Sequence, residues 1–291
     1  MLRFLPILKI HAWGGLGSQL FAVSIAYELL KRFPSRRIKI VLHTGGVTYR
    51  KPEVVSLFPG YEFEYTNDYR HDDSSQQTSV KLVGSRIRIF LKSILKILSI
   101  VETANNDLEF NRVKFWTLSL RGHYSYRSIS QDFYLMLHRS ILGALPNQRS
   151  RELKTCAIHY RLGDLLTLHE KKPIPVELIM HELNQISRET RIENFLVFSD
   201  SPNIALERLS PLDLRLLSAS TKDSLEVINM SVHAEYFVGT SSKISFWIAG
   251  LRGSIYRLPS SLPKSNQNEY KNLFAGVDDC IKGYPRDSSF T

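Results

Sequence analysis

Three short apolar runs in this chain each end in a small polar turn and lead into a helical pattern. That recurrence constrains the fold more than any other feature. Residues 7–13 run into Gly14-Gly15-Leu16-Gly17-Ser18-Gln19, after which Leu20, Val23, Ala26, Tyr27 and Leu30 recur at steps of three and four up to Arg32. This spacing predicts a helix that buries one face and is ended by Pro34. Phe195-Leu196-Val197-Phe198 is apolar at every position, the pattern of a strand covered on both faces. It passes through Ser199-Asp200-Ser201 into a helix with Pro202 just inside its start. Tyr236-Phe237-Val238 does the same through Gly239-Thr240-Ser241-Ser242, into a helix from Ile244 to Leu251. Further strands are predicted at Ile38–Leu42 and Thr155–Ile158, a turn at Gly45-Gly46, and further helices over 176–190 and 223–232. Strands alternating with helices predict an α/β chain with parallel sheets.

The pattern starts afresh near residue 154. We therefore read an N-terminal half over 1–150 and a C-terminal half over 151–291, two Rossmann-like halves facing a cleft. Residues 66–80 are polar and acidic and read as a loop. Residues 84–102 read as a helix, apolar on most sides and carrying Arg86, Arg88, Lys92 and Lys96, and residues 105–150 as mixed helix and loop. The 291 residues are 43% hydrophobic, enough for buried cores. No uncharged apolar run reaches the ~18 residues of a spanning helix. Met1–Ile10 is broken by Arg3 and Lys9 and lacks a small-residue cleavage site, so it reads as a first strand and not as a signal peptide. Cys156 and Cys280 lack metal-ligand spacing, which excludes disulfide scaffolds and zinc ribbons and makes a cytoplasmic location the expectation. Against 28 Asp and Glu stand 38 Lys and Arg, a net charge of +10. Such a surplus suits an anionic partner: nucleic acid, an acidic membrane or a phosphorylated small molecule. The cations are scattered and no nucleic-acid-binding module is present.

The first turn is not a dinucleotide fingerprint, because Leu20 stands where the third Gly or Ala belongs. Nor is it a Walker A loop, since Gly-Lys-Ser/Thr is absent. Gly15 and Gly17 make either a tight strand–helix turn or a backbone surface that a ligand can approach closely. His159-Tyr160-Arg161-Leu162-Gly163-Asp164 leaves the carboxyl end of the 155–158 strand. Arg161 suits a diphosphate, because a guanidinium stays charged and bonds two oxygens at once. Asp164 either orients Arg161 or forms an ordinary surface pair with it. Asp200 either accepts hydrogen bonds from a base edge or ribose or caps the following helix. Ser241 and Ser242, with Lys243 and Ser245 behind them, open a helix whose free N–H groups suit an anion, or they simply cap it. Three strand ends in the second half thus carry Arg, Asp and Ser-rich turns in order, as a nucleoside diphosphate requires.

Together these segments resemble a known family. Gly14-Gly15-Leu16-Gly17-Ser18-Gln19-Leu20-Phe21 resembles the GGLGNQMF signature of bacterial α-1,2-fucosyltransferases, glycosyltransferase family 11. His159–Asp164 resembles their HxRxGD motif, Phe198-Ser199-Asp200 their FSD segment, and Ser242–Trp247 their S-x-F-S-W-W segment. The sequence departs from the family at Ser18, where Asn is usual, and at Leu162, where a second Arg is frequent. It also departs at Lys243 and Phe246, where a small residue and a Trp are usual.

The resemblance implies a GT-B-like fold, GDP-β-L-fucose as donor, and no metal or other cofactor. It implies inverting transfer to a hydroxyl, galactose O-2, of an oligosaccharide in bacterial O-antigen or capsule assembly. Lipid-linked acceptors there, with the basic 84–102 segment, make peripheral contact with an anionic membrane a further expectation; nucleic acid is not expected. Carried over by position, Arg161 would contact the diphosphate and stabilise the leaving GDP, and His159 would border the donor pocket. Asp200 would lie near the guanosine, Ser241, Ser242 and Ser245 would line the phosphate turn, and Gly15, Gly17 and Gln19 would lie against the donor. Arg161, His159 and Asp164 form the expected catalytic set, with the proton acceptor open between Asp164 and His159. Tyr124, Tyr126 and Arg127 are candidates for acceptor contact. A GT-B enzyme using another nucleotide sugar is the alternative.

Overall fold

The structure is a computed structural model describing residues 6–45, 49–67, 94–95, 97–122, 124, 127–143, 152–166, 173–219, 223–240, 242–252 and 256–257. The chain divides into two compact units, Met1–Ile129 and Ser130–Thr291.

The first unit runs β1 (Leu8–Trp13), α1 (Leu16–Arg32), β2 (Ile38–His43), α2 (Val54–Leu57), β3 (Glu62–Thr66), β4 (Val101–Thr103), α3 (Asp107–Asn111) and β5 (Ser119–Arg121). These five strands are parallel throughout, in the order β3-β2-β1-β5-β4. The chain builds one side of β1 first and then the other, so the order reverses between β1 and β5. α1 begins at Leu16, earlier than its periodic run, because Gly15 caps it without a side chain and gives no polar start signal. It is not one-sided. Leu16, Gly17 and Gln19 through Ala26 are all buried, whereas Tyr27 and Leu30 are half-buried. β1 buries Leu8, Ile10 and Ala12 and leaves Lys9, His11 and Trp13 half-buried, the alternation of a strand with two unlike faces.

The expected helix over 84–102 is corrected at its end, where Val101–Thr103 is a strand paired with β5. Arg86, Arg88, Lys92 and Lys96 lie outside the described residues, as does Gly46 of the expected turn. A strand as short as Val-Glu-Thr or Ser-Leu-Arg holds too few residues to show a period, so β4 and β5 were not legible.

The second unit runs α4 (Gln131–Gly143), β6 (Glu152–His159), a 3₁₀ turn (Gly163–Leu166), α5 (Val176–Glu189), β7 (Asn194–Phe198), α6 (Pro202–Leu209), β8 (Leu216–Ser218), α7 (Ser224–His233), β9 (Ala234–Gly239), α8 (Lys243–Arg252) and β10 (Tyr256–Arg257). This sheet is also parallel, in the order β10-β9-β6-β7-β8, so its order reverses between β6 and β9. Ile179, Leu183 and Ile186 of α5 bury one stripe in a core with Cys156, Ile158, Phe195 and Val197.

The boundary lies at residue 129, not near 150, because α4 packs into the second unit. Phe133, Tyr134, Leu137 and Ile141 are buried, and the rings of Phe133 and Tyr134 stand 6.0 and 5.8 Å from that of Trp247 in α8. Both units are therefore Rossmann-like parallel α/β folds, and in each the crevice beside the order reversal lies at the carboxyl ends of the central strands.

Candidate active site

His159 and Gly239 are register partners, so β6 and β9 end at the same level beside the reversal point of the second sheet. Thr240 stitches the two ends together. Its hydroxyl donates to the His159 carbonyl at 2.8 Å and accepts the Arg161 N–H at 3.0 Å. Ser242 caps α8: its Oγ accepts the Ser245 N–H at 3.0 Å, and its carbonyl accepts the Phe246 N–H at 3.1 Å. Ser245 Oγ accepts the Thr240 N–H at 3.2 Å and lies 2.7 Å from His159 Nδ1, with Ser242 Oγ 3.2 Å from the same nitrogen. Burial pushes the His159 pKa down to about 4; Asp200 pulls it up and Arg161 pushes it further down. The imidazole is therefore neutral at neutral pH.

The sequence-predicted residues sort unequally around this junction. Arg161 is half-buried on the strand-end loop. Ser242 acts as the cap, and Ser245, fully buried, stands behind His159 and not on the surface of the turn. Lys243 is the first residue of α8, Asp164 falls on the 3₁₀ turn, and Ser241 lies outside the described residues. Asp200 is not the cap of α6: Ser201 holds that position and makes no cap bond with its side chain. Instead, Asp200 Oδ1 accepts the N–H groups of Leu162 and Gly163 at 2.9 and 2.7 Å. A Cβ on Gly163 would stand 2.1 Å from Asp200 Oδ2, so glycine is required for this carboxylate to reach the loop. The carboxylate at the end of β7 thus shapes the loop that carries Arg161.

In the first unit, Gly14 adopts φ +107°, and a Cβ there would meet Ser18 Oγ at 2.8 Å. Gly15 has no atom within 4 Å of its missing Cβ, which leaves open space beside the backbone at that point. Gly17 is buried in the first turn of α1. Gln19 acts as an internal clamp. Its Nε2 donates to the carbonyls of Gly14 and Lys51 at 3.2 and 2.8 Å, and its Oε1 accepts the Val54 N–H at 3.2 Å. Tyr124 is a core side chain whose hydroxyl donates to the carbonyls of His11 and Leu120. Arg127 is buried over the Phe110 ring at 3.7 Å, and Tyr126 lies outside the described residues. Neither Tyr124 nor Arg127 presents a free surface to an acceptor.

One cluster was missed in the sequence. His11 Nδ1 lies 2.9 Å from His43 Nε2, and the Trp13 ring stacks on His43 at 4.3 Å. Burial pushes His11 down to about 4; Arg121, His43 and Lys9 act in the same direction and Glu64 against it. His11 and Trp13, two apart on the less buried face of β1, were the available signal; His43 is 32 residues away and becomes a neighbour only through the β1–β2 register. Among the described residues no cluster of three or more His, Cys, Asp or Glu could hold a metal ion.

No protein-family model matches the chain, and no curated protein matches its sequence. Solved structures do resemble it at low identity. The E. coli heptosyltransferase WaaC with ADP is 12% identical, with 96% of this chain and 90% of that chain covered and a TM-score of 0.47. POFUT1 in complex with GDP is 10% identical, with 88% and 99% covered and a TM-score of 0.39. A UDP-N-acetylglucosamine 2-epimerase is 8% identical, with 96% and 90% covered and a TM-score of 0.44.

Proposed function

We propose that this chain is an inverting glycosyltransferase that moves L-fucose from GDP-β-L-fucose to a hydroxyl, galactose O-2, of an oligosaccharide in bacterial surface-polysaccharide assembly. The observation that carries the reading is the junction of β6, β9 and α8. It places Arg161, the neutral His159 imidazole and the capped start of α8 at one strand-order reversal. A diphosphate needs that combination: a fixed cation, neutral N–H donors and a helix N-terminus. The choice of guanosine and fucose rests on the motif resemblance at residues 14–21, 159–164, 198–200 and 242–247.

In this reading Arg161 neutralises charge as the GDP leaves. Its backbone is pinned by Thr240 and its loop by Asp200, so the segment that carries the cation is held in place before the reaction. Gly15, with open space beside its backbone, is the member of the first turn best suited to close ligand approach. Thermal unfolding of the full chain with GDP or UDP tests the nucleotide. GDP is expected to raise the midpoint and UDP to leave it unchanged; the reverse order favours a transferase for another nucleotide sugar.

A second partner follows from an exposed patch in the first unit. Ile97, Leu98 and Trp116 are 80, 53 and 58% exposed. The Trp116 indole donates to the Leu98 carbonyl at 3.0 Å, which holds the ring against the backbone of the 97–98 segment. Arg112 and Lys114, both exposed, line a groove with Ile97. An interfacial tryptophan and aliphatic side chains beside cations suit the headgroup region of an anionic bilayer, consistent with a lipid-linked acceptor. Among the described residues, no helix is long and apolar enough to cross a membrane.

A further inference from the structure

His159 Nδ1, Ser245 Oγ and Ser242 Oγ form a triangle with sides of 2.7, 3.2 and 3.3 Å. Two backbone donors enter it from outside, Thr240 N–H to Ser245 Oγ and Ser245 N–H to Ser242 Oγ. A hydroxyl gives one proton and accepts at two lone pairs, whereas a neutral imidazole nitrogen either gives once or accepts once. With Nδ1 bare, Ser242 donates to Ser245 and Ser245 donates to Nδ1, so every hydroxyl proton has an acceptor and Ser245 is saturated. With a proton on Nδ1, the ring donates to Ser245 and Ser245 donates to Ser242. The Ser242 proton then has no acceptor among the described residues, although Ser242 is only 4% exposed. A buried donor left unpaired disfavours that arrangement roughly ten-fold or more. The remaining nitrogen, Nε2, has no hydrogen-bond partner among the described residues, and the ring is half-buried.

We propose that Ser242 and Ser245 hold His159 as its Nε2–H tautomer, so that the imidazole meets an anionic oxygen of a bound nucleoside diphosphate as a hydrogen-bond donor and is not the proton acceptor of the transfer. The ligand half of this inference rests on the proposed function; the tautomer does not. Ser245 is a positioning residue, acting through His159. Burial keeps the ring neutral, and the charged groups that face it, Asp200 and Arg161, act in opposite directions. A neutral N–H two residues from Arg161 in the chain adds a fixed dipole to the proposed anion site without a second full charge to desolvate.

The decisive measurement is the ¹⁵N spectrum of the full chain labelled at histidine, with His159→Gln identifying the His159 resonances. The expected result is an unprotonated Nδ1 and a protonated Nε2 at pH 7. A protonated Nδ1, or rapid exchange between the two tautomers, overturns the proposal. Ser245→Ala is expected to convert the single tautomer into a mixture, while Ser245→Thr, which keeps the hydroxyl, retains it. GDP is expected to move the Nε2–H resonance downfield and leave Nδ1 unprotonated. GDP affinity gives an independent readout. The amide nitrogen of His159→Gln can stand where Nε2 stands, so its GDP affinity is expected within a few-fold of wild type, against a loss of roughly ten- to a hundred-fold in His159→Leu. Equal losses of GDP affinity in the two variants contradict the donor role. Failure of wild-type protein to bind GDP overturns the ligand half together with the proposed function, while the tautomer is judged on the ligand-free spectrum alone.

Discussion

Gly163 shows how one missing side chain sets the geometry of the candidate site. The Asp200 carboxylate occupies the volume a Cβ would need, and its Oδ1 gathers the N–H groups of Leu162 and Gly163. Gly163→Ala therefore expels the carboxylate and frees two donors, and we expect a loss of about 1–3 kcal/mol, read by urea unfolding. Unfolding at wild-type denaturant would contradict the contact. Titration gives a second prediction at this scale. His11 and His159 have native values of about 4 against an ordinary 6.5, so between those values the unfolded chain binds more protons than the native one. Their contribution is complete above pH 6.5 and is lost as pH falls toward 4. We expect the melting temperature to drop between pH 7 and pH 5, and to drop less in a His11→Gln, His159→Gln double variant. Arg161, Asp200, Ser242 and Ser245 were legible in the sequence because each follows a strand within six residues. The roles of Asp200 and Ser245 were not, because their partners lie 37 to 86 residues away and meet them only across β6, β7 and α8.

The elements best read from sequence are β7 and β9, largely buried, and the helices that follow them, where continuous apolar runs meet polar turns. The expected limits of 195–198 and 236–238 fall inside Asn194–Phe198 and Ala234–Gly239. β4, β5 and β8 are three residues long and take their conformation from neighbouring strands, so local pattern carried no signal for them. α4 falls in the 105–150 stretch that reads as mixed helix and loop, on the N-terminal side of a boundary near 150. Its packing against α7 and α8, Trp247 included, assigns it to the second unit. Gly250 of α8 tests that packing. A Cβ there would stand 2.7 Å from Tyr134 Cε1 of α4. Alanine gains about 1 kcal/mol of helix propensity over glycine, whereas crowding a buried ring costs about 1–3 kcal/mol. We expect the cost to win and Gly250→Ala to melt lower than wild type; a higher melting temperature would place α4 elsewhere.

The molecule's charge of +10 divides into cations with different work. Some are internal supports. Arg36 is 3% exposed, donates to the Thr117 carbonyl and lies over the Phe115 ring, and Arg252 binds the carbonyls at the junction of α7 and β9. Arg161 is reserved in our reading for a diphosphate, and Arg112 and Lys114 for an anionic surface beside Ile97 and Trp116. Co-sedimentation with vesicles tests the last assignment. Binding is expected to rise with the fraction of anionic lipid, fall with salt, and weaken several-fold in Trp116→Ser or in Arg112→Ser with Lys114→Ser. Binding that does not depend on anionic lipid would remove the membrane from the account.

Incubating the full chain with GDP-fucose and a panel of galactosides, followed by linkage analysis of the product, tests the proposed transfer most directly. A single α-1,2-linked fucoside is expected. Arg161→Ala, while folded, is expected to be slower by a hundred-fold or more, the scale expected when about 3 kcal/mol of transition-state stabilisation is lost. Turnover of a UDP-linked sugar with none of GDP-fucose, or near-normal transfer by Arg161→Ala, would contradict the proposed transfer.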